Sequence, residues 1–175
     1  MRGYGTMHGN TQGYTLIELM MAVLIVGILT AIALPSFAGL MQRQQTQTIR
    51  DGIFNLVQNA RTVALARQQH VVLCGSVDGA RCSAGRDWQK QMLSFVDLNR
   101  NRQHDASDVT LVIAEIPAAL SVRASRPILV YRADGTARGS NLTIKVCNTS
   151  ARRLDAATVV VANSGRARMD RDECH

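Results

Sequence analysis

Hydrophobic and polar positions along the 175 residues fall into three regimes. Residues 1–13 are short-range polar and glycine-rich, with Arg2 as the one formally charged side chain. From Tyr14 to Leu34 the chain is almost wholly apolar, about the 20 residues a helix needs to cross a bilayer. Glu18 breaks that run near its start, where a carboxylate is costly in lipid and implies a partner. Beyond Pro35 the apolar positions thin to a stripe. Ile49, Ile53, Leu56, Val57, Ala60, Val63 and Ala64 recur at spacings of three and four, while Gln and Arg fill the other face from Gln42 to Gln69. This predicts an amphipathic continuation of the helix, packed on a sheet. Met20, Met21 and Met41 read as helix-packing residues by the same logic.

From Val71 the period changes to that of strands. Val71–Cys74 is a short β run, and Asp78-Gly79 a turn. Trp88–Val96 and Val109–Ile116 read as a strand pair. Ile128–Arg132 and Leu142–Cys147 are two more strands, separated by Asp134-Gly135 and a loop. Thr158–Ala162, the turn Asn163-Ser164-Gly165 and Arg166–Met169 make a last hairpin. A long helix followed by antiparallel strands is an α+β arrangement. The expected division is 1–13, 14–35 (membrane and packing helix), 36–70 (amphipathic helix) and 71–175 (β-rich head).

Composition sharpens this in two places. Aromatic residues are 4% of the chain, too few for a base-stacking platform. Charge is uneven: Arg43–Glu115 holds nine basic and seven acidic residues (+2), whereas Arg123–His175 holds ten and five (+5). Nine of those ten are Arg, which grips phosphate bidentately, so a polyanion partner competes with a merely basic surface. The four cysteines, Cys74, Cys82, Cys147 and Cys174, all lie in the head. An even count in a membrane-tethered domain suggests two disulfides and an oxidising compartment. Three connectivities are open. Cys74–Cys82 and Cys147–Cys174 are favoured because each pair flanks a local hairpin or tail closure. Zinc is disfavoured, since there is no C-x-x-C and no clustered His.

Candidate chemistry is sparse. Ser94 and Ser121 lack a nucleophile motif, and His8, His70, His104 and His175 are scattered, so no enzyme and no cofactor is expected. Asp97, Asn99, Asn101 and Asp105 mimic a calcium loop, but Arg102 stands where an EF-hand wants Gly, and Arg100 and Arg102 add positive charge. A turn held by Asx side chains is the better reading, and no metal is expected. The sharp feature is Gly165-Arg166-Ala167-Arg168. If extended, Arg166 and Arg168 share a face roughly 6.6–6.8 Å apart, suited to phosphates along one nucleic-acid strand. Arg171, Arg138, Arg152 and Arg153 would widen the patch. The alternative is a basic hairpin whose arginines pair with Asp170 and Asp172.

The segment Gly13-Tyr14-Thr15-Leu16-Ile17-Glu18 resembles the prepilin peptidase site of type IV pilins and pseudopilins. That resemblance implies a leader cut after Gly13 and methylation of Tyr14, here in place of the usual Phe. It makes Glu18 the fifth mature residue, which neutralises a neighbouring N-terminus during filament assembly. Pro35 falls at mature position 22 (35 minus 13), where the family often carries a proline.

The head resembles the GspH/FimT group of minor pilins and pseudopilins. Gly85-Arg86-Asp87-Trp88, Phe95–Asn101, Asp134-Gly135, Thr143–Cys147 and Gly165–Arg168 carry the likeness. It implies an inner-membrane, single-pass subunit with a periplasmic head. Its partners would be other pilins, the prepilin peptidase/methyltransferase and the membrane. FimT-like members bind double-stranded DNA for uptake through a C-terminal G-R-x-R motif, matched here by Gly165, Arg166 and Arg168. The alternative within the group is a GspH-type pseudopilin of type II secretion, a structural tip subunit that does not bind DNA.

Overall fold

The computed structural model describes residues 15–148 and 155–174, without the side chains of 32–39, 42, 155, 171 and 173. The chain divides into two compact units at Leu40/Met41. Helix α1, Leu16–Arg67, contributes to both and includes Pro35.

The start of α1 is set by a capping box. The Glu18 N–H donates to Thr15 Oγ1 (3.3 Å), and the Glu18 carboxylate accepts from the Thr15 N–H (3.1 Å). These bonds satisfy two backbone donors that a helix start otherwise leaves open. The large apolar side chains from Leu16 to Leu29 are exposed. Among the described residues no helix is long and apolar enough to cross a membrane.

In the second unit α1 ends in a Schellman turn. Gln68 takes φ +53°, and the Gln69 N–H reaches back to the Ala64 carbonyl (3.3 Å). The expected apolar stripe is the buried face: Ile53, Leu56, Val57, Ala60 and Ala64 join the core, with Ile49, Phe54 and Val63 packed at its margin.

Eight strands follow: β1 His70–Ser76, β2 Gln91–Asp97, β3 Val109–Glu115, β4 Leu120–Ala124, β5 Ile128–Tyr131, β6 Leu142–Asn148, β7 Asp155–Val161 and β8 Ala167–Glu173. They form two antiparallel sheets rather than one, in the orders β3-β2-β1-β5 and β4-β6-β7-β8. The single helix stripe and the inner faces of both sheets share one cluster, including Leu73, Leu129 and Tyr131 from the first sheet and Ile144, Val146 and Val159 from the second. The first sheet is buried on its outer face too, where Val72, Leu93, Phe95 and Val130 pack together.

Two sequence expectations need correction. The strand placed over Trp88–Val96 begins at Gln91, because Lys90 turns the chain at φ +71°. Trp88 instead stitches the sheets. Its backbone N–H donates to the Val122 carbonyl of β4 (2.8 Å), and its buried ring lies where a Cβ on Gly75 of β1 would stand. Strand β4 was not anticipated; its five residues contain Arg123 and Ser121, which dilute the apolar alternation.

Candidate functional site

The C-terminal hairpin is built from β7 and β8 around Asn163-Ser164-Gly165. Gly165 has φ +79°, and a Cβ there would come within 1.9 Å of the Gly135 carbonyl oxygen. Its glycine identity is therefore dictated by packing. The hairpin tip is docked on the 132–140 loop. The Ala137 N–H donates to the Asn163 carbonyl (3.0 Å), and the Tyr131 hydroxyl donates to the Gly165 carbonyl (3.2 Å). Arg61 Nε–H on α1 donates to the Gly135 carbonyl (3.1 Å), tying the same junction to the helix. Burial pushes the Tyr131 phenol well above its ordinary range, against the opposing charge of Arg61.

This junction presents Arg166 and Arg168 to solvent. Arg166 lies one residue before β8, its carbonyl accepting from the Ala162 N–H (3.0 Å). Arg168 lies in β8 opposite Val160 and has Asp170 beside it at 3.6 Å. The extended spacing thus holds from Ala167 onward, and one arginine is partly neutralised by a carboxylate two residues on. Asp172 is held by Lys145 of β6. Arg138 sits on the docked loop, exposed. Arg171 is in β8, opposite Ala157, with its side chain outside the described residues. Arg152, Arg153, Gly13 and Tyr14 lie outside them altogether.

The structure holds disulfides Cys74–Cys82 and Cys147–Cys174, the two pairs favoured from the sequence. The first closes the β1 end of the turn after Ser76. The second ties β6 to the residue following β8.

The 97–108 loop uses its oxygen atoms internally. Asp97 accepts from the N–H groups of Asn101 (3.1 Å) and Arg102 (3.0 Å). Asn99 and Asn101 turn their Nδ2 groups, each at 2.8 Å, toward Asp105. Hydrogen bonds from the Ser107 hydroxyl and N–H, then from these amides, hold the Asp105 carboxyl far below the usual carboxylate range. The arrangement is a set of Asx turns.

One feature had no forerunner in the sequence. A cavity of about 470 Å³ opens over the outer face of the first sheet at β5. Its floor includes Ile128 and Val130, and its walls carry Arg100, Arg102, Arg126, Arg132 and Arg138, with His70 at one end. These side chains come from three separate chain segments, so no local motif announces them.

Residues 51–165 match the family described as type II transport protein GspH. The chain belongs to the GspH family. Residues 9–34 match the prokaryotic N-terminal methylation motif, which marks prepilin processing. This member of the GspH family is a pilin-like subunit, minor pilin or pseudopilin.

Its fold is similar to that of the type IV minor pilin FimU of Pseudomonas aeruginosa. That match has TM-score 0.54 and 16% identity, covering 71% of this chain and 91% of that one. It is equally similar to the minor pseudopilin EpsH from the type 2 secretion system of Vibrio cholerae, with TM-score 0.54 and 9% identity, covering 72% and 96%. Such low identities establish the fold alone. A curated relative, the type IV narrow pilus major component PilA5 of Thermus thermophilus, is 36% identical over 66 residues, 38% of this chain. The chain spans 56% of that relative's length.

Proposed function

We propose that this GspH-family subunit is a minor pilin of a type IV pilus whose head binds double-stranded DNA through Arg166 and Arg168. The leader is cut between Gly13 and Tyr14, Tyr14 is methylated, and the apolar segment 14–35 anchors the chain in the inner membrane with the head in the periplasm. Other pilins then take up that segment in the filament, where Glu18 neutralises a neighbour's N-terminus. What supports anchoring and assembly is the row of exposed apolar side chains from Leu16 to Leu29, too large an apolar surface to leave in water. The role is structural and adhesive rather than catalytic.

The observation that carries the DNA reading is the exposure of Arg166 and Arg168 on a hairpin whose tip is fixed to the helix, the first sheet and the 132–140 loop. A rigid mount lowers the entropy cost of each phosphate contact. A second reading, a structural pseudopilin of a type II secretion system, is favoured by one observation: Gly165 is required for packing whether or not DNA binds.

The two are separated by DNA binding of the full chain in non-ionic detergent, beside a still-folded Arg166→Ala/Arg168→Ala variant. A DNA-binding pilin gives a log–log salt slope of about −0.9 per phosphate contact, and the double variant loses that binding. Absence of binding near 50 mM salt leaves the secretion pseudopilin, and equal binding by both proteins removes the arginine pair as the binding site.

A further inference from the structure

Strand parity explains how the cleft over β5 is made. Leu129 and Tyr131 face the core, so Ile128 and Val130 face outward, and Arg126 and Arg132 continue that outward row at either end of the strand. On β1, Val72 lies opposite Val130, which puts His70 on the same face. The 97–108 loop brings Arg100 and Arg102 over it. Both have left-handed backbone, φ +61° and +62°, a conformation uncommon for such side chains. The buried Asp97 carboxylate holds the Arg102 N–H in place. The third wall is the 132–140 loop with Arg138.

The cleft carries more positive charge than its neighbouring carboxylates offset. Among the described residues, none of these five guanidinium groups has a carboxylate partner. Two acids lie near. Asp97 is occupied by two backbone N–H groups. Asp134 accepts from the Thr136 hydroxyl and N–H, and its carboxyl is held below the usual range first by those bonds and to a smaller extent by the charges of Arg138 and Arg132. His70 reports the resulting field. Burial and then the Arg100 charge push its pKa below the ordinary histidine value, Arg132 and Arg102 add to this, and Asp97 alone opposes. Five cations around an aliphatic floor repel one another across a surface of reduced dielectric, a cost that a bound polyanion would reverse.

We infer that this cleft is a second phosphate-binding site, which takes the sugar–phosphate backbone of a nucleic-acid strand by its guanidinium walls. The volume suits more than a single ion: clefts of 300–1,000 Å³ are the range of small organic ligands, and about 470 Å³ accommodates a phosphodiester with its sugar. Continuity favours nucleic acid over a free small anion. The loop carrying Arg132 and Arg138 is the one bonded to the hairpin tip at Asn163 and packed against it at Gly165, so a strand lying on Arg166 has a cationic surface to continue along. The inference rests on the nucleic-acid reading above for the source of the phosphates, and not on the Arg166/Arg168 pair.

The test uses the full chain in non-ionic detergent with a 30-base-pair duplex, read by fluorescence anisotropy over a salt series. Four proteins are compared: wild type, Arg166→Ala/Arg168→Ala, a cleft variant (Arg100→Asn, Arg126→Gln, Arg132→Gln), and a charge-matched control in which the exposed Arg67, Arg81 and Arg86 outside the cleft become Gln. The cleft variant is expected to flatten the salt slope by about 2–3, some 0.9 per lost contact, while the control keeps the wild-type slope. Near-UV circular dichroism of the buried Trp88 checks that each variant is folded.

An unchanged slope in the folded cleft variant, or an equal change in the control, overturns the proposal. Loss of binding in the Arg166/Arg168 variant alone sinks the cleft and keeps the hairpin. Loss in the cleft variant alone does the reverse. A wild type that binds neither the duplex nor inorganic pyrophosphate removes both sites. Pyrophosphate binding that the cleft variant loses, with duplex binding unaltered, makes this a small-anion site and overturns the nucleic-acid assignment.

Discussion

At the scale of single residues, the G-R-x-R stretch separates into a packing glycine and two exposed arginines. Gly165 has no room for a methyl group against the Gly135 carbonyl and sits at φ +79°. Gly165→Ala is therefore expected to destabilise the head by about 2–4 kcal/mol, combining left-handed strain with overpacking. Arg166→Ala and Arg168→Ala, both at exposed positions, should change stability by no more than about 0.5 kcal/mol. Denaturant titration of the three variants checks this; an unperturbed Gly165→Ala would show that the tip is not clamped as described. A DNA-binding defect in a Gly165 variant alone would then speak for folding and not for contact. Glu18 has a similar double character. The sequence points to assembly, whereas the structure adds a capping box with Thr15 that no filament is needed to explain. Glu18→Ala is expected to remain in membranes but fail to enter sheared filaments. Thr15→Ala breaks the box, at a cost of about 1 kcal/mol, while keeping the carboxylate, and is expected to assemble normally. Equal failure of both variants would assign the defect to capping.

At the scale of elements, what was legible followed period and punctuation. The helical stripe from Ile49 to Ala64 came through because seven apolar residues at three- and four-residue spacing have one common face. The β7–β8 hairpin came through because Asn163-Ser164-Gly165 is turn chemistry between two β runs. β4 did not, because five residues with two polar ones give no alternation to count. The late start of β2, at Gln91, is hidden because Lys90 takes positive φ without being Gly or Asn. That the strands divide between two sheets is a matter of long-range pairing, which no local run announces. The cysteine pairs were readable from their placement, and they set an element-scale prediction. Cys147–Cys174 closes 27 residues and ties β6 past β8. Its loss in Cys174→Ser should cost about 3–4 kcal/mol in the chain-entropy account, against about 2–3 for Cys82→Ser, whose loop spans 8. Thermal unfolding of both variants ranks the two bridges; equal losses would mean that strand pairing already restrains the tail.

At the scale of the whole molecule, charge is the property that sequence reading located only in part. The surplus of arginine after Arg123 was countable, but the cleft draws Arg100 and Arg102 from the middle of the chain, in a region whose net charge is nearly balanced. Folding segregates them: the acids of that loop turn inward to backbone N–H groups, and the guanidinium groups are left over the sheet. His70 makes this field measurable. Its pKa is lowered in the folded chain, so between that value and the unfolded value near 6.5 the unfolded state binds more protons. Stability therefore rises with pH across this window, is complete above about 6.5, and is lost as pH falls through it. A strand of phosphates in the cleft supplies the missing negative charge and favours the imidazolium, so His70 should titrate at higher pH when duplex DNA is bound. Linkage requires the converse, that affinity strengthens as pH falls between the bound and free values. A proton NMR titration of the His70 ring, with and without saturating duplex, reads both. The upward movement is expected to persist in Arg166→Ala/Arg168→Ala wherever that variant still binds. A His70 titration unmoved by saturating DNA would mean that the phosphates never enter the cleft, whatever the hairpin does.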